Sequence, residues 1–323
     1  MLTEILILIM GVIAILLLAD LAVRNSIRLA DHFGLSGTFI GLTILSIGTS
    51  IPEIMTAILG SVNILKEPAT MNTVSGLIIG TNVGSDIFQQ SFVLALVGLI
   101  GTITVIKKDL VSEVGALIAG TVLILIFSLG GFLNRFEGFL LLAIYFGYLI
   151  YLEKTQVQKK KLAKKHLPRA RIAYEIITII IAFAIMAFAA NKVISVSTVL
   201  VSQMTISASF FGVLLLGVAS ALPELTTALV GVMKHKKGIS SGVLIGSNVT
   251  NPLMGLGAGA LISGYAVPNV TIFYDLPAKI GIACLIFYFL WKNKDLRKWQ
   301  AVLLIMIFVA YLYFRSMFFP VDF

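Results

Sequence analysis

Two glutamates, Glu53 and Glu224, each follow a proline inside an apolar run, in "LSIGTSIPEIMTA" (residues 45–57) and "ALPELTTA" (residues 221–228). Proline removes a helical hydrogen bond, and a carboxylate in hydrocarbon is costly. Together they offer what a bilayer interior otherwise lacks. Pro52 takes the helical partner from the carbonyl of Gly48, and Pro223 does the same at Ala219. Hydroxyls stand one turn back, Thr49 and Ser50 before Glu53 and Ser220 before Glu224. Carboxylate, hydroxyl and carbonyl oxygens within a few residues are the ligands of a hard cation.

A second pair of motifs supplies the other wall. "GLIIGTNVGS" from Gly76 and "GISSGVLIGS" from Gly238 both read GxxxGxxxGS, and a glycine every fourth residue lets helices approach closely. Ser85 and Ser247 end the motifs, and Gln89 and Asn251 lie four residues on, on the same helical face. Asp86 is about 100° around the helix from Ser85 and is open to either reading, ligand or neighbour contact, as are Asn82 and Asn248. The set contains only oxygen donors, which suits Na⁺ or Ca²⁺, whereas zinc or copper calls for imidazole or sulfur. The three histidines read as loop residues, and the single cysteine, Cys284, rules out an intrachain disulfide. No resident cofactor is expected; the ions are cargo.

These residues need a membrane to sit in. The chain is 59% hydrophobic and 12% charged over 323 residues, with a mean hydropathy of +1.03, outside the range of soluble domains. Ten apolar runs of about 20 residues can be counted, near 5–25, 36–62, 75–104, 110–130, 136–152, 172–194, 206–233, 239–264, 273–291 and 299–317. The first lacks a basic leader and a cleavage site, so it reads as a helix and not a removable signal. A basic stretch, "EKTQVQKKKLAKKHLPRAR" at 153–171, divides five runs from five. The halves align: the segment from Gly41 matches the segment from Gly212 without gaps at an offset of 171, and the glycine motifs match at 162. Two motifs recurring in one order argue for duplication. An odd number of helices per half makes the second copy inverted.

The expected fold is therefore an all-α membrane protein of ten transmembrane helices, two inverted five-helix repeats at 1–153 and 172–323 joined by a basic linker at 154–171, with broken helices at a midplane ion site. With both termini outside, the cytoplasmic loops hold 19 of the 24 Lys and Arg, as the positive-inside bias requires. The +9 formal charge thus fixes orientation in a cell membrane; without interleaved aromatics it does not indicate nucleic acid. No obligate protein partner is evident.

"GTSIPE" and "SALPE", each followed by a GxxxGxxxGS helix on a duplicated chain, resemble the two α-repeats of the cation/Ca²⁺ exchanger superfamily, and most of all its prokaryotic Na⁺/Ca²⁺ exchangers. By matching positions, the resemblance implies Glu53 and Glu224 at a central Ca²⁺ site, with Ser50, Ser85, Ser247 and the backbone carbonyls of Ser46 and Gly217 among the Na⁺ ligands. It implies a secondary antiporter and not an enzyme. There are departures: Ala219 and Ala221 stand where the first half has glycine and serine, and Gln89 and Asn251 form a neutral amide pair. The amide pair also resembles Ca²⁺/H⁺ exchangers, whereas the proline before each glutamate is the sodium-type form. A Ca²⁺/H⁺ exchanger is therefore the nearest alternative and a cation channel a more distant one. An intramembrane hydrolase lacks a visible partner for a nucleophile.

Overall fold

A computed structural model describes residues 2–33, 43, 45–100, 107–156, 168–203, 206–233, 237–293, 295–319 and 321–322. The protein is mostly helical, and seven helices among these residues are long and apolar enough to cross a membrane: Pro68–Ile100, Val111–Ser128, Arg135–Thr155, Arg169–Gln203, Ala208–Leu229, Thr271–Asn293 and Lys298–Phe318. The helix Leu2–Phe33 extends eight residues past the expected end of the first run, and it contains His32, which is therefore not a loop residue. The start of the second run and much of the basic linker, 157–167, lie outside the described residues.

Helix ends follow local chemistry. Asn134 and Glu137 exchange side-chain hydrogen bonds with each other's backbone N–H, at 3.0 and 2.7 Å, and open the helix Arg135–Gln156. Gly264 stops the helix Gly257–Ser263 in the left-handed region, φ 70°. The strand that follows it, Tyr265–Ala266, pairs antiparallel with Phe132–Leu133.

The layering places the two sequence motifs together. In the glycine helix Pro68–Ile100, 78% of the apolar window is buried, against 22% for Arg135–Thr155, so the former is central and the latter peripheral. Gly80 and Gly84 let that central helix meet residues 208–217 backbone to backbone: a Cβ at Gly80 would stand 2.2 Å from the Ser209 carbonyl oxygen, and one at Gly84 2.5 Å from Val213 Cα. The helix Leu2–Phe33 packs along Arg169–Gln203, and at one end Arg28 and Arg171 both pair with the fully buried Glu175, at 3.2 and 2.8 Å. At another place a second buried pair, Arg315 and Asp275 at 3.1 Å, is completed by Tyr311, which donates to Asp275 at 2.8 Å. Buried ions survive in hydrocarbon when paired in this way.

Candidate functional site

Both Pro-Glu segments are broken helices, and they break alike. The short helix Ser46–Thr49 ends at Ser50 (φ −81°, ψ 2°) and Ile51–Lys66 begins; Gly217–Ser220 ends at Ala221 (φ −82°, ψ 0°) and Leu222–Met233 begins. Each proline is the second residue of the new helix, where a missing N–H costs nothing. The Ser50 N–H points to the carbonyls of Ser46 and Gly48, and the Ala221 N–H to those of Gly217 and Ala219. Each glutamate is thus third in a helix, at its positive end.

The glutamates are 1% and 0% exposed, and they are held unequally. Ser85 donates to Glu53 Oε1 at 2.7 Å. Glu53 Oε2 and both carboxylate oxygens of Glu224 have no hydrogen-bond partner, nor do the Ser50 hydroxyl and Asn251 Oδ1. Around them, the Ser220 hydroxyl faces Glu53 and the Thr49 hydroxyl faces Glu224. Yet Ser220 donates its proton to the Gly217 carbonyl at 3.2 Å, and Thr49 donates to the Ser46 carbonyl at 3.4 Å. Hydroxyl lone pairs turned toward a carboxylate fit a cation between them. The Ser46 and Gly217 carbonyls also accept backbone N–H groups at 3.1 and 3.2 Å, and the Ser46 hydroxyl is in contact with that of Thr250 at 3.0 Å.

Gln89 and Asn251 each open a π-helical turn, Gln89–Val93 and Asn251–Leu256, the kind of local widening that re-aims side chains. Gln89 Nε2 donates to Ser85 at 3.0 Å, while its Oε1 accepts from Ser247 at 2.5 Å and Asn248 at 3.1 Å. Ser247, Gln89, Ser85 and Glu53 therefore form one chain of hydrogen bonds across the two glycine helices. Asn82 donates to the Asn251 carbonyl at 3.0 Å, and Asn248 accepts from Gln90 at 2.8 Å, so these asparagines tie helices together.

Two cavities flank the broken helices. One of about 380 Å³ is lined by Thr49, Pro223 and Thr227 with Asp20 and Arg24; the other, of about 30 Å³, is lined by Ser220, Pro52 and Thr56. The three site residues in one are the 171-offset counterparts of those in the other.

The sequence profile of the sodium/calcium exchanger protein family matches residues 3–153 and 174–317. The chain belongs to this family. It is 27% identical over 301 residues to the inner membrane protein YrbG of Escherichia coli (strain K12), covering 89% of this chain and 88% of that protein. It is 26% identical to the sodium/calcium exchanger MaX1 of Methanosarcina acetivorans, covering 95% and 97%. A solved structure of the sodium-calcium exchanger NCX_Mj soaked with Na⁺ and Sr²⁺ superposes with a TM-score of 0.66 over 96% of this chain and 97% of that one; at 23% identity the likeness is one of fold. The exchanger family is one of membrane ion transporters.

The candidate site also borders a buried lysine that the motifs did not announce. Lys279, 1% exposed, forms a salt bridge with Asp86 Oδ2, whose Oδ1 accepts from Asn251 Nδ2 at 2.7 Å. The available signal was a lysine inside an apolar span, which is a functional flag by default.

Proposed function

We propose that this protein is a secondary antiporter that exchanges Ca²⁺ for Na⁺ by alternating access, with the cargo held between Glu53 and Glu224. The observation that carries this is the set of buried, unpaired oxygens: Glu53 Oε2, both oxygens of Glu224, Ser50 Oγ and Asn251 Oδ1. Two carboxylates buried without partners are strongly unfavourable, and one Ca²⁺ neutralises both. An empty, dianionic site resists closure in a dry interior, which makes exchange obligatory.

The remaining ligands follow from the donor geometry. Ser85, Ser220 and Thr49 border the carboxylates, and the carbonyls of Ser46 and Gly217 are reached when the adjacent hydroxyls turn to the ion. We assign Gln89 and Ser247 to a holding position, because the Gln89 amide oxygen already accepts two hydrogen bonds.

The architecture in this reading is ten crossings in two inverted repeats, residues 1–153 and 172–323. Equal breaks at a 171-residue offset support the duplication. Contacts among even-numbered connections support the crossing count: Phe132–Leu133 pairs with Tyr265–Ala266, and Ser209 donates from its backbone N–H and its hydroxyl to the Asp322 carboxylate near the C-terminus. The basic 154–171 segment is cytoplasmic and the termini are outside a cell membrane. The unequal cavities support alternating access, one vestibule wide and its counterpart nearly closed.

The test is ⁴⁵Ca²⁺ uptake into proteoliposomes under an imposed Na⁺ gradient, with a proton ionophore present. Uptake that follows the Na⁺ gradient is expected. The neutral amides Gln89 and Asn251 favour the Ca²⁺/H⁺ alternative, which gains if uptake ignores Na⁺ and collapses with the pH gradient. Channel-like conductance without a counter-ion would remove the antiporter reading.

A further inference from the structure

Lys279 is the one buried lysine among the described residues, and the exchange reading above gives it no task. It lies in the helix Leu276–Asn293 and pairs with Asp86, which directly follows Ser85 and acts electrostatically on both Glu53 and Glu224. A bare Asp86 would make the site a trianion. With Lys279 attached, the pair has no net charge, whether the proton sits on the Lys279 nitrogen or on the Asp86 oxygen. The charge left for cargo to balance is that of Glu53 and Glu224 alone.

One Ca²⁺ balances it, and so do two monovalent cations. A third would leave a net positive charge buried in hydrocarbon without a partner, which is costly. We infer that the Lys279–Asp86 pair is a resident counter-charge that limits this site to two monovalent cations per Ca²⁺ and so makes the exchange electroneutral. Two positive charges move each way in every cycle. The inference rests on the reading that Glu53 and Glu224 hold the cargo. The pair also positions Asn251: a carboxylate accepts only from the NH₂ end of an amide, so Asn251 Oδ1 is turned away from Asp86 and left unpaired.

The test uses the full chain in proteoliposomes with equal Na⁺, Ca²⁺ and pH on both sides and a potential of 100 mV set by K⁺ and valinomycin. The ⁴⁵Ca²⁺ distribution is expected to stay even. A carrier that moves one net charge per cycle would shift it about 50-fold, the equivalent of about 2.3 kcal/mol, and that result overturns the inference. Gradient-driven exchange is measured in the same vesicles, with a Na⁺ gradient at fixed pH in one arm and a pH gradient with choline in place of Na⁺ in the other. Exchange in either arm without a response to potential supports the inference and identifies the monovalent cation. Absence of exchange in both arms removes the function reading itself, a failure distinct from potential-sensitive exchange. Lys279→Gln exposes the Asp86 charge and is expected to slow exchange at least tenfold or make it respond to potential; unaltered electroneutral exchange overturns the proposal. Asp86→Asn with Lys279→Gln removes both charges, and potential-insensitive exchange faster than in the single variant is expected. A double variant no faster than Lys279→Gln would show that charge pairing is not what matters.

Discussion

Ser85 donates to Glu53 Oε1 at 2.7 Å, whereas its counterpart Ser247 lies 2.5 Å from Gln89 Oε1, and both oxygens of Glu224 go unpaired. The duplicated halves therefore present their two carboxylates to the site in different states of restraint. Glu53 is oriented by the protein itself; in the proposed reading, Glu224 would be oriented by the ion.

That difference predicts unequal serine variants. Ser85→Ala removes the donor to Glu53 and leaves a second carboxylate oxygen unsatisfied, a loss of about 1.5–3 kcal/mol for a hydrogen bond to a charged group. Ser247 has one proton for three acceptors, Gln89 Oε1 and the carbonyls of Val243 and Leu244 at 2.8 and 3.3 Å, so Ser247→Ala acts on Glu53 only through Gln89. Initial rates of ⁴⁵Ca²⁺ exchange should fall more in Ser85→Ala. Equal losses would mean that the hydrogen-bond chain from Ser247 to Glu53 is as important as the direct bond.

Ligand binding can be read without transport. A cation that binds only the folded protein stabilises it by about 2.7 kcal/mol at a hundred times its dissociation constant, so Ca²⁺ should raise the melting temperature of the detergent-solubilised protein. Glu224→Gln removes a buried charge without a protein partner, so the ion-free protein should melt at the same temperature or higher. The Ca²⁺-dependent rise should disappear. A rise that survives in both Glu53→Gln and Glu224→Gln would move the ion elsewhere.

Close backbone approach gives a prediction about stability. A Cβ on Gly84 would stand 2.5 Å from Val213 Cα and 2.8 Å from its carbonyl oxygen, whereas one on Gly115 meets nothing within 4 Å. Backbone cannot turn aside as a side chain does. Gly84→Ala should therefore cost about 1–3 kcal/mol through overpacking, while Gly115→Ala should be neutral or stabilising by up to about 1 kcal/mol through helix propensity. Thermal melts of the two variants provide the comparison.

Much of this was readable in sequence because it is local. Proline fixes where a helix starts, so the breaks at Ser50 and Ala221 lie beside Pro52 and Pro223, and the glycine spacing announced the contacts at Gly80 and Gly84. What the residues do there was less legible. The motif gave proline as a breaker of a continuous helix, but the chain bends two residues earlier and uses the proline near the start of the next helix. Gln89 and Asn251 look equivalent in the repeat, yet one shares its amide with two serines and the other with Asp86. Lys279 and Asp86 are 193 residues apart and their meeting depends on how the helices Thr271–Asn293 and Pro68–Ile100 pack, which no spacing encodes.

The two unequal cavities yield the last prediction. Thr227 borders the space of about 380 Å³ and Thr56 that of about 30 Å³, and the residues are counterparts at the 171-residue offset. In this conformation a cysteine at 227 has room for a reagent and a cysteine at 56 does not. With Cys284, which is exposed, replaced by serine, a small charged thiol reagent should modify Thr227→Cys much faster than Thr56→Cys. In oriented membranes the side from which Thr227→Cys reacts should be the cytoplasmic one, since the wide cavity also contains Asp20 and Arg24 of the C-terminal half of the helix Leu2–Phe33, the half that leads to the first cytoplasmic connection in the proposed topology. If the site alternates, conditions that favour the opposite state must slow the reaction at 227 and speed it at 56, this time from outside. Parallel changes at both positions under a reversed Na⁺ gradient would show the two cavities opening together, as in a pore, and that outcome would count against exchange by alternating access.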